Sequence, residues 1–126
     1  RAGSAFTAAP QLDRPDVRIA VATGAAYDLF LTRTLRHAAL VRAHTSEGAF
    51  AMFERGDVDA VAGVRQALQA SVGKRDDLRI VADRFMAIEQ AVAVPKARAA
   101  AAAYLQLFIA EAIASGFVAR TVERQR

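Results

Sequence analysis

Residues 18–31 read RIAVATGAAYDLFL, and this stretch decides the fold. An alternating, β-branched apolar run, Val17–Ala22, stops at Thr23-Gly24. A helical pattern begins at once: Tyr27, Phe30, Leu31, Leu35 and Ala38 share one face, while Arg33 and Arg36 point away. A strand thus delivers its carboxyl end onto a helix start. In an open α/β sheet ligands bind there, because the first helical amides lack intrahelical partners and carry partial positive charge. The turn Ala22–Tyr27 holds no nucleophile, base or metal ligand with partners at a motif spacing, so it offers backbone rather than catalysis.

The pattern repeats along the chain. Residues 1–16 are small, polar and Pro-containing; they read as an entry segment, with an extended piece near Ala5–Thr7 and a turn at Leu12–Pro15. After the helix from Ala26 to about His37, Leu40–Ala43 reads as a short strand. Thr45-Ser46-Glu47 supplies an N-cap and an acidic first turn for a helix that stops at Gly56. Val58–Gly63 reads as a buried strand, 64–72 as a helix, Leu78–Ala82 as a strand, and Phe85–Val94 as an apolar extended segment with Glu89-Gln90 in its middle. Pro95 suits the first turn of a long helix to Ser115, and a last helix follows Gly116 over 117–124. Alternating strands and helices predict an α/β three-layer sandwich: a mostly parallel open sheet of about five strands with helices on both faces. The 126 residues read as a single lobe, with 17–126 as its core.

Composition narrows the function classes. The chain is 54% hydrophobic, but 31 residues are Ala, which bury little area, so the core rests on Leu, Ile, Val, Phe and Met. The net charge is +4, and 15 of the 17 basic residues are Arg. They are dispersed singly (Arg33, Arg36, Arg42, Arg55, Arg65, Arg79, Arg98) without interleaved aromatics, a solvated surface rather than a nucleic-acid face. There is no Cys, which removes disulfides, thiolate metal sites and a Cys nucleophile. His37 and His44 have no Ser or Asp partner at a motif spacing, and Asp57/Asp59 and Asp76/Asp77 sit where turns favour Asp. No cofactor motif is present: the turn at 23–26 lacks the Lys-Ser/Thr of a phosphate loop and the Gly pattern of a dinucleotide site. Beginning at Arg1 without a signal-like segment, the chain reads as a processed or excised piece.

The order of motifs is more specific than any one of them. RIAVATGAAYDLFLTRTL is followed by Gly56–Val61 (GDVDAV), then FMAIEQAVAV, Pro95-Lys96, and YLQLFIAEAIASGFVA. This order resembles the second lobe of the extracytoplasmic solute-binding proteins of ABC transporters, amino-acid type, over residues 15–125. The resemblance implies a periplasmic protein without catalysis, a missing first lobe, a small-molecule solute captured between lobes, and an ABC permease as partner.

The resemblance also implies contacts. The family's turn after the first strand of this lobe gives amides and hydroxyls to the ligand carboxylate. Here those places are Ala25 and Ala26, flanked by Ala22 and Tyr27, with Thr23 two positions early and Gly24 between. The family's acid for the ligand ammonium falls, counting from Asp59, on Val64, between Gly63 and Arg65. A Val cannot pair with a cation, and an unpaired buried ammonium costs several kcal/mol. An anionic or largely apolar solute therefore fits better than an ordinary amino acid, with Arg65 as a counter-charge and Gln90 as a further polar contact. Two other classes share the architecture: the effector-binding lobe of a bacterial transcription regulator, and a small α/β enzyme.

Overall fold

The computed structural model describes residues 1–124 and divides the chain into two compact units, Arg1–Ile88 and a second unit from Glu89 onward. In the first unit β1 (Arg18–Ala22) forms the centre of a three-stranded parallel sheet of order β2-β1-β3. It pairs with β2 (Ala39–Ala43) from Arg18↔Ala39 to Ala22↔Ala43, and with β3 (Ala60–Val61) at Ile19↔Ala60 and Ala20↔Val61. Four of the five β1 residues are buried, as the apolar run demands of a central strand covered on both faces.

The two faces carry different helices. Ile19 and Val21 join Tyr27 and Leu31 of α1 (Ala26–Thr34) in one apolar cluster. Ala20 points the other way, into a second cluster with Ala49, Phe50 and Phe53 of α2 (Ser46–Arg55), Val58 and Leu78. Leu68 and Val72 of α3 (Arg65–Val72) pack against this second cluster. Period-two alternation in one strand thus builds an α/β/α arrangement.

Local chemistry sets the helix ends. The Thr45 hydroxyl accepts from the Gly48 amide at 3.0 Å and caps α2. Gly56, in the left-handed region at φ 84°, closes it by donating to the carbonyl of Phe53 at 3.1 Å. Thr45→Ala should cost about 1 kcal/mol of stability, read as a lower urea midpoint at unchanged slope.

Several expectations are corrected. The sheet of the described residues has three strands, not about five. Leu78 is buried as a strand residue would be, but Leu78–Ala82 forms no ladder. The carbonyls of Val81, Ala82 and Asp83 accept instead from Arg65 Nη2 at 3.0–3.2 Å, and Arg79 Nη2 donates to the carbonyls of Ser4 and Phe6. Phe85 and Met86 are half-buried against the α1-side cluster, and no ladder forms over 85–94. The Val58–Gly63 strand shrinks to Ala60–Val61. The helix α1 ends at Thr34 rather than His37, because the Asp13 carboxylate captures the amides of Arg36, His37 and Ala38 at 2.7–3.1 Å and turns the chain toward β2. Near the start there is a short 3-10 turn at Ala9–Leu12 and no strand at Ala5–Thr7.

The second unit contains α4 (Ala99–Ala114) and α5 (Phe117–Glu123). Pro95 lies in a turn before α4, its carbonyl accepting from the Arg98 amide at 2.9 Å, rather than in the first helical turn. Neither helix buries a residue fully. Among the described residues no single helix is long and apolar enough to cross a membrane.

Candidate functional site

All three strands run parallel, so their carboxyl ends share one edge of the sheet. From β1 the chain leaves through α1 to β2 on one side. From β2 it returns through α2, past β1, to β3 on the other. The turns that follow β1 and β3 therefore diverge from neighbouring strand ends, which is the switch point where open α/β sheets leave a ligand crevice. Because β1 and β3 pair side by side, Ala22–Tyr27 and Gly63–Arg65 both leave the carboxyl edge of the sheet from neighbouring strands.

The first turn is built on backbone. Ala22 is buried, and its carbonyl accepts from the Ala25 amide at 3.2 Å. The Thr23 amide and hydroxyl both donate to the carbonyl of Ala43, at 2.9 and 3.0 Å, tying the turn to the end of β2. Gly24 takes φ 74°, a left-handed conformation that a side chain disfavours, and so the chain reverses into α1. Ala25 stands at the N-cap with no side-chain acceptor to offer. The amides of Ala26, Tyr27 and Asp28 have no acceptor among the described residues. Tyr27 is buried in the α1-side core, and its hydroxyl meets Ser46 Oγ at 3.2 Å, joining the start of α1 to the start of α2.

Asp28 is the residue that sequence reasoning missed. It is the one buried charged side chain among the described residues, 3% exposed. One carboxylate oxygen accepts from the Gly24 amide at 2.8 Å, which holds the turn shut at its tightest point. Arg42, from β2, donates through Nε to the same carboxylate at 3.0 Å and forms an ion pair with it through Nη2 at 3.0 Å. The Thr32 hydroxyl donates to the Asp28 carbonyl at 2.8 Å and accepts from Arg42 Nη2 at 2.7 Å. Asp28 thus fastens the residue before the N-cap rather than capping the first helical amides, and Arg42 neutralises it. The available signal was an acid in the first helical turn behind an uncapped Ala.

The second turn is plainer. Gly63 is half-buried, and a Cβ there would meet the Leu68 side chain at 3.3 Å. Val64 stands at the N-cap of α3 and is 45% exposed. Arg65 spends one terminal nitrogen on the three carbonyls of 81–83, which anchors that segment below the turn. Gln90 belongs to the second unit, exposed and outside helix and strand.

Comparison with protein-family models, with curated proteins and with solved structures gives no match. The site therefore stands on its own geometry. Among the described residues no group of three or more His, Asp or Glu side chains is placed to hold a metal ion.

Two carboxylates, Asp13 before the amino end of β2 and Asp28 after the carboxyl end of β1, tie the frame of the sheet to pH. The amide of Ala38 first, then those of Arg36 and His37, hold Asp13 below its ordinary value of 3.8. The Gly24 amide first, then Arg42 and Thr32, hold Asp28 below the same value against the opposing effect of burial. A depressed folded-state value means that each contribution is fully present above pH 3.8 and is lost as pH falls through the lower folded values. Urea stability followed by circular dichroism should therefore be flat with respect to these two groups above pH 3.8 and fall steeply below it. In Asp13→Asn the steepness should lessen.

Proposed function

We propose that this chain is a solute-capturing lobe of an ABC-transporter binding protein, working in the periplasm and presenting its carboxyl edge to a small organic solute. The observation that supports the reading is the parallel pairing of β1 with β3, from whose carboxyl ends Ala22–Tyr27 and Gly63–Arg65 depart at the switch point of the β2-β1-β3 sheet. The free amides of Ala26 and Tyr27 offer two parallel donors to a carboxylate, and the helix start favours its charge. Val64 supplies an apolar wall where an amino-acid binder needs an acid, so a simple organic acid is preferred to a zwitterion. A second lobe closing over this edge would complete the contacts, and closure would present the surface that a permease reads.

The Asp28–Arg42 pair adds a constraint on the solute. It uses the Gly24 amide and leaves the first turn of α1 with a compensated charge, so the pull on an anion comes from the unpaired amides of Ala26, Tyr27 and Asp28. Weak binding by the single lobe follows. A nitrogen-15-labelled chain titrated with short mono- and dicarboxylic acids should show saturable shifts at the amides of Ala26, Tyr27 and Arg65. Shifts scattered over the surface, or none at these amides at saturating acid, would overturn the reading.

A further inference from the structure

The second unit carries a surface of a different kind. Among the described residues, eight of the eleven large apolar side chains that stand exposed lie in it, including Tyr104, Leu107, Phe108, Ile113 and Phe117. Between Ala99 and Ala114 the polar residues are Gln106 and Glu111. The apolar residues are not confined to one stripe: at 100° per residue Tyr104 and Ile113 stand on opposite sides of α4, with Leu107 and Phe108 around Tyr104. A helix apolar around most of its circumference asks for a surrounding apolar medium rather than a single groove.

Charge says which medium. Lys96 and Arg98 stand just before α4, Arg120 and Arg124 lie in and just after α5, and all four are exposed. Basic residues at both ends of an apolar helical segment match a bilayer interface, where the apolar middle enters the acyl boundary and the cations meet lipid phosphates. The geometry favours lying on the bilayer over crossing it. α4 has 16 residues, about 24 Å of helix, against a hydrocarbon core of about 30 Å. The chain then bends by 62° into α5. The bend lines an open groove of about 310 Å³ with Phe108, Ala112 and Phe117, and Glu111 and Ser115 complete its lining.

We infer that α4 and α5 form a peripheral docking surface for an anionic lipid bilayer. The reading is independent of the solute site, since no solute takes part. The test is flotation of the full chain with phosphatidylcholine vesicles, with and without phosphatidylglycerol, at low and at high salt. The chain should float with the anionic vesicles at low salt and much less at high salt. Arg120→Gln with Arg124→Gln should weaken the partition about thirtyfold, at roughly 1 kcal/mol per cation near the surface. Leu107→Asp with Phe108→Asp should abolish it, whereas Glu111→Gln should strengthen it by removing the anion from the apolar segment. Arg120 also donates to the Ser115 carbonyl at the bend, at 2.9 Å, so Arg124→Gln alone and Glu111→Gln read the surface even if the aspartate variant misfolds. Absence of flotation, or flotation unaffected by salt and by the arginine changes, would overturn the inference. So would a concentration-dependent dimer, seen by sedimentation, that Glu111→Gln leaves unable to float.

Discussion

Asp28→Ala should destabilise the first unit by about 3 kcal/mol, the low end for breaking a buried ion pair, because Arg42 keeps partial access to water. The substitution removes the acceptor of the Gly24 amide and leaves Arg42 with the Thr32 hydroxyl but no counter-charge. For a folded unit of this size that corresponds to a melting temperature lower by roughly 12–24 °C. Arg42→Ala should cost less, about 2 kcal/mol, since the Gly24 amide and the Thr32 hydroxyl still meet Asp28. The double variant Asp28→Ala/Arg42→Ala should fall short of the sum by more than about 1 kcal/mol, the coupling expected of direct partners. Strict additivity in urea denaturation would show that the pair is not a unit.

Phe53→Ala carries the largest expected loss on the opposite face. Phe53 is 7% exposed and packs beside Phe50, with ring centroids 6.1 Å apart. The Arg1 guanidinium lies 4.8 Å from its ring centre and donates to the carbonyls of Phe53 and Glu54, so the N-terminal residue is clamped onto α2 through this side chain. Truncation to Ala removes a ring from a cluster that also holds Ala20, Val58 and Leu78, at a cost of about 3–4 kcal/mol. Phe53→Leu, which keeps most of the volume, should cost about 1 kcal/mol. A loss for Phe53→Ala no larger than that for Phe53→Leu would mean that the α2-side cluster is not a packed core.

What the sequence made legible was local. The β1 run, the Thr45 cap and the Gly56 stop each depend on neighbours within a few residues, and each forms where the pattern puts it. The strand number was not legible, because an apolar run reports burial and not the partner of its carbonyls. Leu78 is buried, but the carbonyls beyond it go to Arg65, a side chain thirteen or more residues earlier. The end of α1 was hidden for the same reason: helical periodicity continues to Ala38, and the group that stops it is Asp13, more than twenty residues upstream.

The site divides in the same way. The turn Ala22–Tyr27 was readable as a strand end on a helix start, whereas Gly63–Arg65 was singled out only by what the resemblance implied. Their proximity depends on strand order, which periodicity does not encode. Asp28 escaped because an acid in a first helical turn usually faces water. Here the helix register that buries Tyr27 and Leu31 also turns Asp28 inward, and the Gly24 amide together with Arg42, on a neighbouring strand, makes that tolerable. The same pair holds the Gly24 turn in the shape that leaves the Ala26 and Tyr27 amides without partners.

The measurement that bears most directly on the account is a crystal structure of the chain soaked with the short carboxylic acid that shifts the Ala26 amide most. The account predicts a carboxylate seated between the two turns, accepting from the Ala26 and Tyr27 amides, with its apolar part toward Val64. Asp28 should keep its bonds to Gly24 and Arg42. A carboxylate bound elsewhere on the molecule, with this edge empty at full occupancy of that other site, would contradict it.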